Sequence, residues 1–92
     1  MNQLEKEIVI DLYNQLAKRD TKSSELLDIL DVLLKVNQKL DTEKHPERLI
    51  NRLTQYIRIT ASTGKISFSS EEEKLTIRLS VIGQKAGLNG SY

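Results

Sequence analysis

Residues 23–40, SSELLDILDVLLKVNQKL, decide the architecture. Plotted at about 100° per residue, Leu26, Ile29, Leu30, Leu33, Val36 and Leu40 fall on one side of a helix. Leu27, Val32 and Leu34 widen that stripe, and a band so wide should touch two neighbouring helices, as in a bundle. Ser23 is placed to cap the helix, and Glu25 sits in its first turn, where the helix dipole favours an acid. The stretch contains neither glycine nor proline, so a helix over about 24–41 has no breaker to cross.

Working outward, the residues before it make a second amphipathic pattern. Over about 2–19, Leu4, Ile8, Leu12, Tyr13 and Leu16 share a face, with Val9 on its edge and Ile10 on the far side. The polar run RDTKSS, residues 19–24, breaks the two apart. On the other side DTEKHPE, residues 41–47, ends the central helix. Pro46 suits the first position of a third helix, about 46–63, because the N–H it lacks has no partner there anyway. That helix should bury Leu49, Ile50, Leu53, Tyr56, Ile57 and Ala61. Gly64 should stop it in a left-handed conformation.

KISFS, residues 65–69, alternates like a strand, but no second strand exists to pair with it. It is better taken as an extended connector whose Ile66 and Phe68 plug the end of a bundle. A fourth helix over about 70–86 then opens on SSEEE, where Ser69 with Glu72, or Ser70 with Glu73, makes a capping box. Its inner stripe is Leu75, Leu79, Ile82 and Ala86. Residues 88–92 should fray. Four helices with short connections imply an all-α, antiparallel up-down-up-down four-helix bundle in one domain, 1–92.

The chain has 92 residues and no cysteine, which excludes disulfides and thiolate metal sites. No stretch approaches the roughly 18 consecutive apolar residues of a membrane span. The opening MNQLEKEIVIDLYNQL has acids where a signal peptide needs cations and an apolar run, so the expected location is the cytoplasm. Charge is unevenly spread: residues 1–43 hold six Lys/Arg against nine Asp/Glu, and residues 44–92 hold eight against four. Such a split fits ordinary solvated helix faces. It also fits a basic half turned towards an anionic partner, such as membrane headgroups at the inner face of the membrane.

Little in the sequence can do chemistry. His45 is the only histidine and reads as a residue leading into the third helix, without the orienting partners that catalysis needs. Neither a glycine-rich phosphate loop nor a nucleophile elbow is present. No enzyme, cofactor or metal site is expected. Arg48, Arg52 and Arg58, with Lys44 before them, form a basic face on the third helix. That face is the basis for an alternative reading as a small nucleic-acid-binding or transcription-regulating module. The turn before it lacks the short glycine-containing form of a helix-turn-helix, and few Asn or Gln accompany the arginines for base readout. Nucleic acid is therefore not the expected partner.

The fourth helix has one apolar face too many. Ile77 and Val81 lie about 150° from its inner stripe, with Leu88 beyond them and Lys74, Arg78 and Lys85 interspersed. Ile59, beside Arg52 on the third helix, is equally off-axis. Single exposed aliphatics need no explanation, and a fourth helix covered on both sides would also absorb them. A paired apolar ridge fringed by cations instead suits docking to a protein near an anionic membrane. The partner-binding candidates are thus Ile77, Val81, Leu88, Lys74, Arg78, Lys85, Arg52 and Ile59.

Over most of its length the chain resembles the immunity proteins of pediocin-like (class IIa) bacteriocins, in particular the enterocin A immunity group. The resemblance is carried by EKEIVIDLYNQL, ELLDILDVLLKVNQKL, PERLINRLTQYI and SSEEEKLTIRL. It implies an antiparallel four-helix bundle made in the cytoplasm of lactic acid bacteria and related streptococci or enterococci. It further implies protection against a bacteriocin by binding the membrane-embedded mannose phosphotransferase permease once the bacteriocin has engaged it. Specificity in the family is attributed to the C-terminal half. Only LNGSY follows Gly87, where relatives extend further, so recognition is expected on helix surfaces rather than on a tail.

Overall fold

In the computed structural model, which describes the backbone of residues 2–90 and the side chains of residues 2–85, four helices follow one another. They are α1 (Gln3–Ala17), α2 (Ser24–Lys39), α3 (Pro46–Thr63) and α4 (Ser70–Gly90). Each packs on the next in the chain, and α1 also packs on α4, so the four close into a ring. The bundle is elongated, 41 × 24 × 21 Å. The fold is all-α, as the sequence requires. Expected to end near residue 86, α4 instead runs on to Gly90. Of the tail expected to fray, residues 91 and 92 and the side chains of 88–90 lie outside the described residues.

The α2 stripe is the largest contribution to the core: Leu26, Ile29, Leu30, Leu33, Val36 and Leu40 are all buried. They meet Ile8, Val9, Leu12 and Leu16 of α1, Ile50, Leu53, Ile57 and Ala61 of α3, and Leu79 of α4. Ile66 and Phe68 pack half-buried against this cluster, as the end plug requires. Three expectations about the core are corrected. Leu27 and Leu34 face solvent, because in a ring each helix has only two neighbours and the outer edge of a wide stripe stays uncovered. Tyr56 is likewise exposed rather than buried. Leu4, placed with the core of α1, is 54% exposed.

Polar bonds hold the two ends. Ser23 caps α2, its Oγ accepting from the Leu26 N–H at 3.2 Å. Of the two capping boxes the sequence allows, the structure forms the Ser69–Glu72 pair. The Glu72 N–H donates to Ser69 Oγ at 3.2 Å, and the Ser69 N–H donates to Glu72 Oε1 at 2.8 Å. Glu72 is only 3% exposed, and Arg19, just beyond α1, reaches both its oxygens. At the opposite end Asn2 adopts a left-handed conformation (φ 59°), which asparagine tolerates better than most residues. Its Nδ2 donates to the carbonyls of Leu40 and Glu43, each at 2.9 Å. Lys6 pairs with Asp41 beside it.

Two glycines serve close approach. Gly64 ends α3 at φ −86°, not left-handed; Lys65 takes the positive φ instead. A Cβ at Gly64 would sit 2.7 Å from Glu25 Cβ, so the glycine is there for room against α2. Gly83 is buried where α4 crosses α3, and a Cβ there would lie 2.8 Å from Asn51 Cα. Main chain cannot rotate aside as a flexible side chain can. Gly83→Ala gains ~1 kcal/mol of helix propensity, yet overpacking costs ~1–3 kcal/mol, so a net loss of up to ~2 kcal/mol is expected in denaturant melts. A variant more stable than the parent would show that α3 and α4 separate freely.

Candidate functional site

Why Ile77 and Val81 stay outside follows from how α4 is held. Glu72, Thr76 and Leu79 are its buried positions on one side, and Gly83 continues that line against α3. Ile77 and Val81 are then turned towards the outer edge of the α1–α4 seam, 49% and 54% exposed. With Ile82, they meet Leu4 and Ile8 across the seam in an open groove of about 250 Å³, and among the described residues Arg78 is the one charged side chain lining it. Aliphatic residues thus stand one turn apart on both banks, Leu4 and Ile8 opposite Ile77 and Val81.

Further along the same seam, towards the start of α4, the lining turns polar. Asp11, Gln15 and Lys18 of the α1 side face Glu71, Lys74 and Arg78 across a cleft of about 460 Å³. Lys74 leans on Glu71 at 3.7 Å within its own helix. Among the described residues, Asp11, Lys18 and Arg78 have no ion-pair partner within 4 Å. The face therefore grades from apolar to mixed charge along one line.

The remaining candidates lie elsewhere. Lys85 is exposed on α4 but lines neither cavity, and the Leu88 side chain lies outside the described residues. Arg52 lines a separate cleft with Lys39, Glu43, His45 and Arg48, between the exit of α2 and the start of α3. Ile59 is 67% exposed on α3 and does not line the groove. The basic row of α3 is divided as well: Arg58 Nη2 donates to Ser80 Oγ of α4 at 3.2 Å, while Arg48 and Arg52 share their cleft with a carboxylate. His45 is exposed, with Nδ1 3.9 Å from Glu47 Oε1, and its backbone N–H donates to Glu43 Oε1 at 3.4 Å. Among the described residues no cluster of three or more His, Asp or Glu is placed to hold a metal, and no helix is long and apolar enough to cross a membrane.

Sequence reasoning missed Leu4 as part of the groove. Its period matches the α1 core, but it is half exposed and lines the groove beside Ile77 and Val81. Asp11 was missed too, since an exposed acid on a helix carries no signal until the opposite bank is known.

The groove is an open surface feature of the α1–α4 seam, and the comparisons with known proteins give the chain its family. Residues 3–84 match the family described as the bacteriocin immunity protein family. The chain is 68% identical over 65 residues to the "Probable mesentericin-Y105 immunity protein" of Leuconostoc mesenteroides. It is 65% identical over 65 residues to the "Probable leucocin-A immunity protein" of Leuconostoc gelidum. Each match takes in 71% of this chain but 58% of the relative, so the chain spans little more than half the length of these curated proteins. No solved structure matches significantly. Since the family match runs from the first residue of α1 into the Gly83 crossing of α4, and so takes in all four helices, the chain belongs to the bacteriocin immunity protein family.

Proposed function

We propose that this chain protects its cell against a pediocin-like bacteriocin, and does so by binding rather than by catalysis. The observation that carries the reading is the open aliphatic groove between α1 and α4, with Arg78 in its wall. Solvent-facing aliphatics gathered in one groove mark a contact surface, and Arg78 is the one charged side chain among the described residues that line it. The partner we infer is the membrane-embedded mannose phosphotransferase permease with bacteriocin engaged, met from the cytoplasm. A peripheral contact with the inner membrane face would accompany it. The relatives named for mesentericin-Y105 and leucocin-A support peptides of that class as the challenge. The nucleic-acid alternative loses ground because its three arginines do not act together. Expression in a sensitive strain, challenged with a panel of pediocin-like peptides that includes those two, should give survival against at least one of them. Death in every arm, with the protein present in the cells, would overturn the reading.

A further inference from the structure

The helices pack around the ring in the order α1, α2, α3, α4, so the α2–α3 seam lies across the bundle from the α1–α4 groove. At that seam Lys39 of α2, Glu43 and His45 of the connection, and Arg48, Leu49 and Arg52 of α3 line a cleft of about 300 Å³. Lys39, Arg48 and Arg52 are exposed, and among the described residues none of them has a carboxylate within 4 Å. Glu43 is turned to the main chain instead, its Oε1 accepting the His45 N–H at 3.4 Å. Arg48 and Arg52 stand about one helical turn apart, and the fork of each guanidinium fits the oxygens of a phosphate group.

The same stripe of α3 then turns apolar. At about 100° per residue, Arg48, Arg52, Tyr56 and Ile59 fall within roughly 80° of arc. Tyr56 is 39% exposed and Ile59 67%. Glu47 is the only acid in α3, and it lies roughly 100° outside that arc. Cations, a tyrosine and an aliphatic side chain on one exposed helix face suit the boundary of a lipid layer. The cations take headgroup phosphates, the tyrosine ring sits at headgroup level, and the aliphatic side chain enters the acyl boundary. A nucleic acid would instead favour phosphate contacts along the whole stripe, whereas this one has cations at one end and apolar side chains at the other.

We propose that the outer face of α3, with Lys39, seats the protein on an anionic phospholipid surface. Lys39, Arg48 and Arg52 hold headgroup phosphates, and Ile59 enters the acyl boundary. Contact on this side leaves the α1–α4 groove open to a protein partner. The proposal takes from the functional reading only its peripheral membrane contact. It is measured on purified protein, so its failure leaves the protection assay unaffected.

The full chain should sediment with vesicles of equal parts phosphatidylglycerol and phosphatidylcholine, stay in solution with phosphatidylcholine alone, and leave the anionic vesicles as salt is raised. Each cation close to an anionic surface is worth about fivefold in partitioning, so Arg48→Gln with Arg52→Gln should weaken binding about 25-fold where the two add. Lys18→Gln with Arg78→Gln removes the same charge from exposed positions on the other side of the ring and should weaken it far less. Circular dichroism checks that each variant folds. The chain has no tryptophan, so Ile59→Trp and Ile77→Trp each introduce a single fluorescent reporter, one on each side. Anionic vesicles should shift the emission of the first to the blue and leave the second unchanged. A parent that ignores anionic vesicles, including one that binds inorganic phosphate alone, would overturn the proposal. Equal weakening by the two charge pairs, or equal shifts at the two reporters, would do the same. Tighter salt-sensitive binding to duplex DNA than to the vesicles would assign the arginines to nucleic acid and overturn it too.

Discussion

Arg19→Ala is expected to lower stability by ~2–3 kcal/mol, because it strips the charged partner from a carboxylate that burial has already removed from water. Glu72 accepts from Arg19 Nε at 3.2 Å and from its Nη2 at 2.5 Å, and the same Nη2 also donates to the Ser67 carbonyl at 2.6 Å. One guanidinium thus ties the end of α1 to the connector and to the first turn of α4. Burial pushes the Glu72 carboxyl up, but the bonds from Arg19 and Ser69, with the charge of Arg19, outweigh it, and the net pKa lies below the ordinary 4.5. A carboxyl lowered on folding contributes stability above its unfolded pKa and loses it as pH falls through the folded one. In the variant the burial effect remains and the Arg19 contributions are gone, so the Glu72 pKa rises. The deficit against the parent should therefore be greatest near neutral pH and shrink below about pH 4.5. Paired denaturant melts at pH 7 and pH 3.5 check this. A deficit independent of pH would mean that Arg19 acts by packing alone.

Ile77→Asn combined with Val81→Ser should abolish protection while leaving the fold intact. Both side chains are about half exposed, and surface changes of this kind usually shift stability by ~0.5 kcal/mol or less each. Anchors in a docking groove behave otherwise, since each can cost ~2 kcal/mol of binding when truncated, and losing two weakens a complex about a thousandfold where the losses add. Melting temperature and survival under bacteriocin challenge are the paired measurements. Survival equal to the parent, with the fold preserved, would make the groove idle surface. Collapse of the fold would place both residues in the core.

The α2 stripe was legible because six apolar positions repeat on one side of a helix, and every one of them is buried. Leu27 and Leu34 misled because a helical wheel records how wide an apolar band is, not how many neighbours will cover it. On α4 the outward turn of Ile77 and Val81 could be read locally. Their groove could not, because its opposite bank, Leu4, comes from the other end of the chain and meets them only once the ring closes. Glu72 shows the same limit from the polar side. Its capping role is written in Ser69–Glu72, three residues apart, whereas Arg19 lies 53 residues away. Gly83 carried a faint signal, a glycine inside a helical pattern that propensity disfavours. That signal says room is needed, but not that the main chain of Asn51 needs it.

The Asn2 latch has a practical consequence for anyone who handles this protein. Because its amide is fastened to the α2 exit at two carbonyls, the direction in which the chain arrives at α1 is set, and Leu4 follows two residues later at the mouth of the groove. An affinity tag or fusion partner joined in front of Met1 would thus be attached next to this latch, at the end of α1 that carries Leu4. A fusion that disturbed the latch or covered the groove would report a folded protein that does not protect. The informative comparison is the same protein after protease removal of the tag, before any loss of activity is ascribed to a substitution.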